Sequence, residues 1–154
     1  IGFLALQGGD IVTAKKALAS MHGDWFVDSA LITILRMEGD TEVADKTCDQ
    51  VLSKHPRHKP TLINCGINEW QGKKDFRKAR DYLNRSLAVA GGSAVWDEKT
   101  GKLLGVIDQE ELRISQLKAT KDAEERKSKA DSEARKDSPA NPSPNANPNG
   151  WQYC

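Results

Sequence analysis

Ser29-Ala-Leu-Ile-Thr-Ile-Leu35, followed by Gly39-Asp40, Ala44, Cys48, Val51-Leu52 and Pro56, returns in altered form 35 positions further along the chain. Leu31 corresponds to Gly66, Leu35 to Trp70, Asp40 to Asp75, Ala44 to Ala79, Cys48 to Leu83 and Leu52 to Leu87. An earlier copy is offset by 30, with Gly2 on Ile32, Gly9-Asp10 on Gly39-Asp40, Ala14 on Ala44 and Leu18 on Cys48. Each copy reads as two amphipathic helices. Repetition at this period is the pattern of an all-α solenoid, in which each helix pair buries its apolar face only against its neighbours. Such an architecture supplies a binding surface rather than a reaction centre.

The pattern resembles the tetratricopeptide repeat (TPR) family: a small or apolar residue in the first helix, an aromatic residue or Leu one turn on, then Gly-Asp-aromatic, Ala, a large apolar residue and a closing Pro. Gly39-Asp40 with Ala44, Leu52 and Pro56 carries the resemblance best, and Asp75-Phe76 with Ala79, Tyr82-Leu83 and Leu87 follows closely. It covers residues 1–90, about three helix pairs. Lys74 stands where Gly39 stands in the copy before, Gly91 replaces the closing Pro, and the first copy lacks the front of its first helix.

The resemblance implies a protein-protein interaction scaffold or adaptor that holds a peptide or subunit in a concave groove lined by the first helix of each repeat. With Ile63, Gly66, Ile67 and Trp70 as the packed face, Asn64, Asn68 and Gln71 are expected in the groove, joined by Ser29, Thr33, Arg36 and Met37 of the preceding repeat and by Phe3 and Leu6 of the first. The expected peptide-binding set is Thr33, Arg36, Asn64, Asn68 and Gln71, with Asn68 and Arg36 solvated in the free protein. Carboxamides offer both a donor and an acceptor to an extended backbone, and Arg36 suits a carboxylate. The paired basic residues of the chaperone-tail carboxylate clamp are not present at these positions. The trimmed repeats and charged tail resemble bacterial TPR proteins, including envelope scaffolds and pilus-assembly lipoproteins. An alternative is that the repeats are the accessory part of a longer enzyme or sensor whose catalytic domain lies upstream. Ile1 falls inside an expected first helix, so a fragment is expected, with a lipoprotein signal or membrane anchor upstream compatible and location, bacterial cytoplasm or cell envelope, left open.

With 23 basic and 22 acidic residues the net charge is +1, and no general field recruits nucleic acid or an anionic membrane. The visible sequence has no run of roughly 20 apolar residues such as a membrane span needs. His22, His55 and His58 fall at helix ends or in a connection, and no phosphate loop or His-Glu-x-x-His motif is present, so neither catalysis nor a cofactor nor a metal is expected. Lys54-His55-Pro56-Arg57-His58-Lys59 is a local basic cluster suited to solvation or to an acidic partner. Cys48 and Cys65 occupy helices of adjacent repeats and read as small buried apolar residues or as a disulfide clamp, the choice depending on Cα separation.

The spacing predicts helices over 10–21, 25–38, 41–54, 60–72 and 75–89. Residues 91–117 are read as a linker loop, with Trp96 packed on the last repeat, and a capping helix from near Lys102 striped by Leu103, Val106, Ile107, Leu112, Ile114 and Leu117. Residues 118–137 have helix formers but no apolar face, a charged solvated helix. Residues 138–154, rich in Pro and Asn, are read as a disordered tail in which Cys154 has no assigned role.

Overall fold

The computed structural model describes residues 10–21 and 23–136. Among them the protein is all helical, with six helices and no strand. α1 spans Ile11–Ala19, α2 Trp25–Glu38, α3 Thr41–Lys54, α4 Lys59–Ile67, α5 Phe76–Ala88 and α6 Ala94–Lys136, and α4 continues into a π-helical segment, Asn68–Lys73. The expected tail, 138–154, and the first-repeat groove residues Phe3 and Leu6 lie outside the described residues.

Local chemistry sets most boundaries. Asp10, Asp24 and Asp75 each turn a side-chain oxygen onto backbone N–H groups of the following first turn, at 3.0 Å to Thr13, 2.8 Å to Phe26 and 3.0 Å to Lys78, which satisfies donors a helix start leaves orphaned. α2 closes at Gly39, whose φ of 88° lies in the left-handed region, while Asp40 N–H donates to the Leu35 carbonyl across 2.8 Å. That two-residue link folds α3 back onto α2.

Three apolar clusters are strung along the chain in place of one central core. Ala14 and Leu18 of α1 pack with Val27, Ala30 and Ile34 of α2. Ile32 of α2 joins Ala44, Cys48 and Leu52 of α3 and Leu62 and Cys65 of α4. Ile63 of α4 joins Ala79 and Leu83 of α5 and Ile107 of α6, with Ile67, Trp70, Leu103 and Leu104 partly buried around them. The Ile63, Gly66, Ile67 and Trp70 stripe therefore faces α5 as expected. Gly66 leaves room for α5 to approach closely: a Cβ there would sit 2.8 Å from Leu83 Cγ.

Cys48 and Cys65, both buried, form a disulfide between α3 and α4 with Cα atoms 5.9 Å apart. The reading as two unlinked thiols gives way, because the second cluster brings both into one contact.

The expected loop before Lys102 is helical. Ser93 caps α6, its Oγ accepting from Val95 N–H at 3.3 Å, Thr100 Oγ1 donates to the Trp96 carbonyl, and Glu98 pairs with Lys102 one turn on. Trp96 is 51% exposed instead of packed. Of the predicted capping stripe, Leu103 and Ile107 reach the third cluster, while Val106 and Leu112 lie off that phase of the helix and are exposed. The chain divides at Leu112. The second unit, as far as Lys136, is exposed helix throughout, Ile114 and Leu117 included. No described helix is long and apolar enough to cross a membrane.

Two outcomes follow for stability. Cysteines 17 positions apart close a loop worth about 3 kcal/mol in the unfolded chain, so dithiothreitol should lower the denaturation midpoint of the native protein and leave Cys48→Ala/Cys65→Ala unaffected. Gly101 and Gly105 sit inside α6 with open space where a Cβ would stand. Replacing either by Ala should raise stability by roughly 0.5–1 kcal/mol in thermal unfolding.

Candidate functional site

The expected binding set divides once the side chains are placed. Arg36, near the end of α2, donates from Nη1 to Oε1 of Gln71. Thr33 lies one turn before Arg36 and is half-buried. Asn64 is also half-buried, and its Nδ2 donates to the Ser29 carbonyl at 2.8 Å and to Ser29 Oγ at 3.4 Å. Both contacts join positions 35 apart, so corresponding residues of α2 and of the α4 segment face one another directly.

Asn68 does not belong to a solvated row. It is 0% exposed, and Nδ2 donates to the Thr41 carbonyl at 3.2 Å and to Asp45 Oδ1 at 3.3 Å. Regular α spacing would align Asn64, Asn68 and Gln71 on one face. Asn68 instead turns to the start of α3, and the π-helical segment begins at this residue. Gly72 permits it, since a Cβ there would collide with Thr41 Cγ2. The segment ends at Lys74, φ 59°, the only non-glycine residue in the left-handed region among those described and the counterpart of Gly39. Asp75 N–H then reaches back to the Glu69 carbonyl at 2.9 Å.

Beside Asn68 lies a polar cluster that sequence reasoning missed. Glu69 is 1% exposed and stands against Asp45, with Lys73 paired to Asp45 and Lys78 Nζ 3.4 Å from Glu69 Oε1. Burial, reinforced by the Asp45 carboxyl, pushes the Glu69 carboxyl up. Burial would also push Asp45 up, but its hydrogen bonds with Lys73 and Glu69 outweigh that and hold it down. The bond to Asp45 lifts Lys73 to about 12. The two neighbouring carboxyls are thus driven apart, Glu69 towards holding its proton and Asp45 towards releasing it. Glu69 Oε2 and Asn68 Oδ1 accept no hydrogen bond among the described residues. The one signal in the sequence is Lys74 at a position where the preceding copy has Gly39, a mark of irregular winding at the helix end.

Among the described residues no group of three or more His, Cys, Asp or Glu is placed to hold a metal ion. His55 and His58 lie against the ring of Trp25, centroids 4.9 and 4.3 Å away. No family model, curated protein or solved structure matches the chain.

Because the folded-state pKa of Glu69 is raised, the native state holds a proton that the unfolded chain releases, and stability falls as pH rises from about 4.5, the ordinary glutamate value, through the folded value. Glu69→Gln keeps the shape and removes the charge. At pH 7 it should be more stable than the native protein by on the order of 1 kcal/mol in urea unfolding, the difference vanishing below pH 4. A variant less stable at pH 7 would mean that Lys78 compensates the carboxylate.

Proposed function

We propose that this chain is a TPR-like adaptor that binds a peptide or protein subunit along the face carrying Thr33, Arg36, Met37 and Gln71. The observation that carries the reading is the contact in register, Ser29 with Asn64 and Arg36 with Gln71, each 35 positions apart. Helix pairs stacked in this way repeat the same residue positions along one surface, and an extended ligand matches such periodicity. Gln71 and Met37 are exposed, and Arg36 and Thr33 are half-buried beside them. The Arg36–Gln71 pair leaves further guanidinium donors for a carboxylate and the Gln71 amide for a backbone carbonyl.

In this reading Asn64 and Asn68 position the surface from behind and do not touch the ligand. With a partner isolated by affinity capture and titrated calorimetrically, Arg36→Ala should weaken binding by about 1–3 kcal/mol, the scale for losing a hydrogen bond to a charged group, with the unfolding midpoint nearly unchanged. Asn68→Ala should do the reverse, lowering stability by a similar amount because it leaves the Thr41 carbonyl and Asp45 short of a donor. Full affinity in Arg36→Ala would move the site off this face.

A further inference from the structure

A second surface lies at the opposite end of α2, and the groove reading makes no use of it. Trp25 and Arg36 are 11 positions apart in the same helix, about 16 Å along its axis. There Trp25, 41% exposed, and Phe26, 50% exposed, meet edge to face with ring centroids 5.9 Å apart. Trp25 also lies against His55 and His58, the two ends of the connection between α3 and α4. That connection is fixed locally: His58 N–H donates to the His55 carbonyl at 3.0 Å around Pro56, and the His58 ring is 2.6 Å from Thr61 Oγ1. Rings held in place this way lose little freedom when a ligand covers them.

Three depressions of about 340, 320 and 300 Å³ adjoin one another here. Trp25 and His55 line the first two, Arg57 and His58 the second and third, and Trp96 closes the third. The charged residues that line the depressions are Lys54, Arg57 and Lys59 against one carboxylate, the buried Asp28, and Lys99 Nζ lies 5.8 Å over the Trp96 ring. The neighbouring acidic residues each have a partner within the protein, exposed Glu98 with Lys102 among them. Asp24 caps α2, buried Asp28 accepts from Gly23 N–H, and Asp97 pairs with Lys59 across 2.5 Å.

The geometry points to a docking site for an acidic peptide whose aromatic or aliphatic side chains alternate with carboxylates, laid across Trp25 and the 54–58 connection toward Trp96. Exposed Trp with neighbouring Arg is the composition of interface hot spots, and complementary charge fixes which partner is admitted. A polyanion such as single-stranded nucleic acid is a poorer match. Its affinity comes from many phosphate contacts, whereas this chain carries a net charge of +1 and offers only a few cations here.

The test uses the full chain and the intrinsic fluorescence of its tryptophans. A short synthetic peptide alternating Asp or Glu with Leu should bind saturably, and its Lys-for-Glu counterpart should not. The exposed double change Lys54→Glu/Arg57→Glu should weaken that binding at least tenfold while leaving the helical circular dichroism intact. Trp25→Ala should do likewise, and Arg36→Ala should leave it unchanged, separating this surface from the other. Absence of saturable binding, binding indifferent to the Lys54 and Arg57 reversals, or tighter binding of oligo-dT or of phosphatidylserine vesicles would each overturn the assignment.

Discussion

Everything after Pro56 depends on how α4 is seated against α2 and α3. Three unlike interactions set that seat. The Cys48–Cys65 bond fixes one point of α4 to α3, Asn64 stitches it to the backbone of α2 at Ser29, and Asn68 reaches the carbonyl at the start of α3. Apolar burial around Ile32, Leu52 and Leu62 drives the helices together but is indifferent to small slides. The directional contacts remove that freedom, so that Gln71 arrives opposite Arg36 and the connection at 54–58 is held under Trp25.

The polar cluster beneath this seat is costly by comparison. Burying Glu69 against Asp45 sets two carboxyls in one weakly solvated place, and Lys73 and Lys78 offset the charge only in part. Its position at the π-helical segment fits a general tendency. Irregular winding puts side chains where regular helices cannot, and here it adjoins the buried Asn68 and Glu69.

How far the sequence could be read follows the range of the interactions concerned. α2 and α3 were legible to the residue because Asp24 and Gly39 act within a turn of themselves, and the Ile63, Ile67, Trp70 stripe because helical periodicity is a local property. The winding at Asn68 was not legible. It brings Gly72 against Thr41, a residue 31 positions earlier in another helix, and Asn68 likewise takes its partners, Thr41 and Asp45, from that helix. The start of α6 was read as loop, whereas the Ser93 cap and the Glu98–Lys102 pair, with Ile107 in the third cluster and Asp97 on Lys59, hold this stretch as helix. The cysteine pair stayed undecided because sequence carries no Cα separation. The function is the least legible of all, since the same stacked helices serve many ligands.

The division of the interior into three clusters also bears on how the protein comes apart. Among the described residues α2 joins the first two clusters by turning different sides to α1 and α3. Such a chain need not open all at once. Among the described residues α1 is held by Ile11, Ala14, Leu18 and the Lys15–Glu38 pair, without the covalent tie that joins α3 to α4, so its amides are expected to exchange with solvent before those of α3 and α4. The disulfide keeps those two helices neighbours even in the opened state, and closing them again is a local search rather than a refolding of the chain.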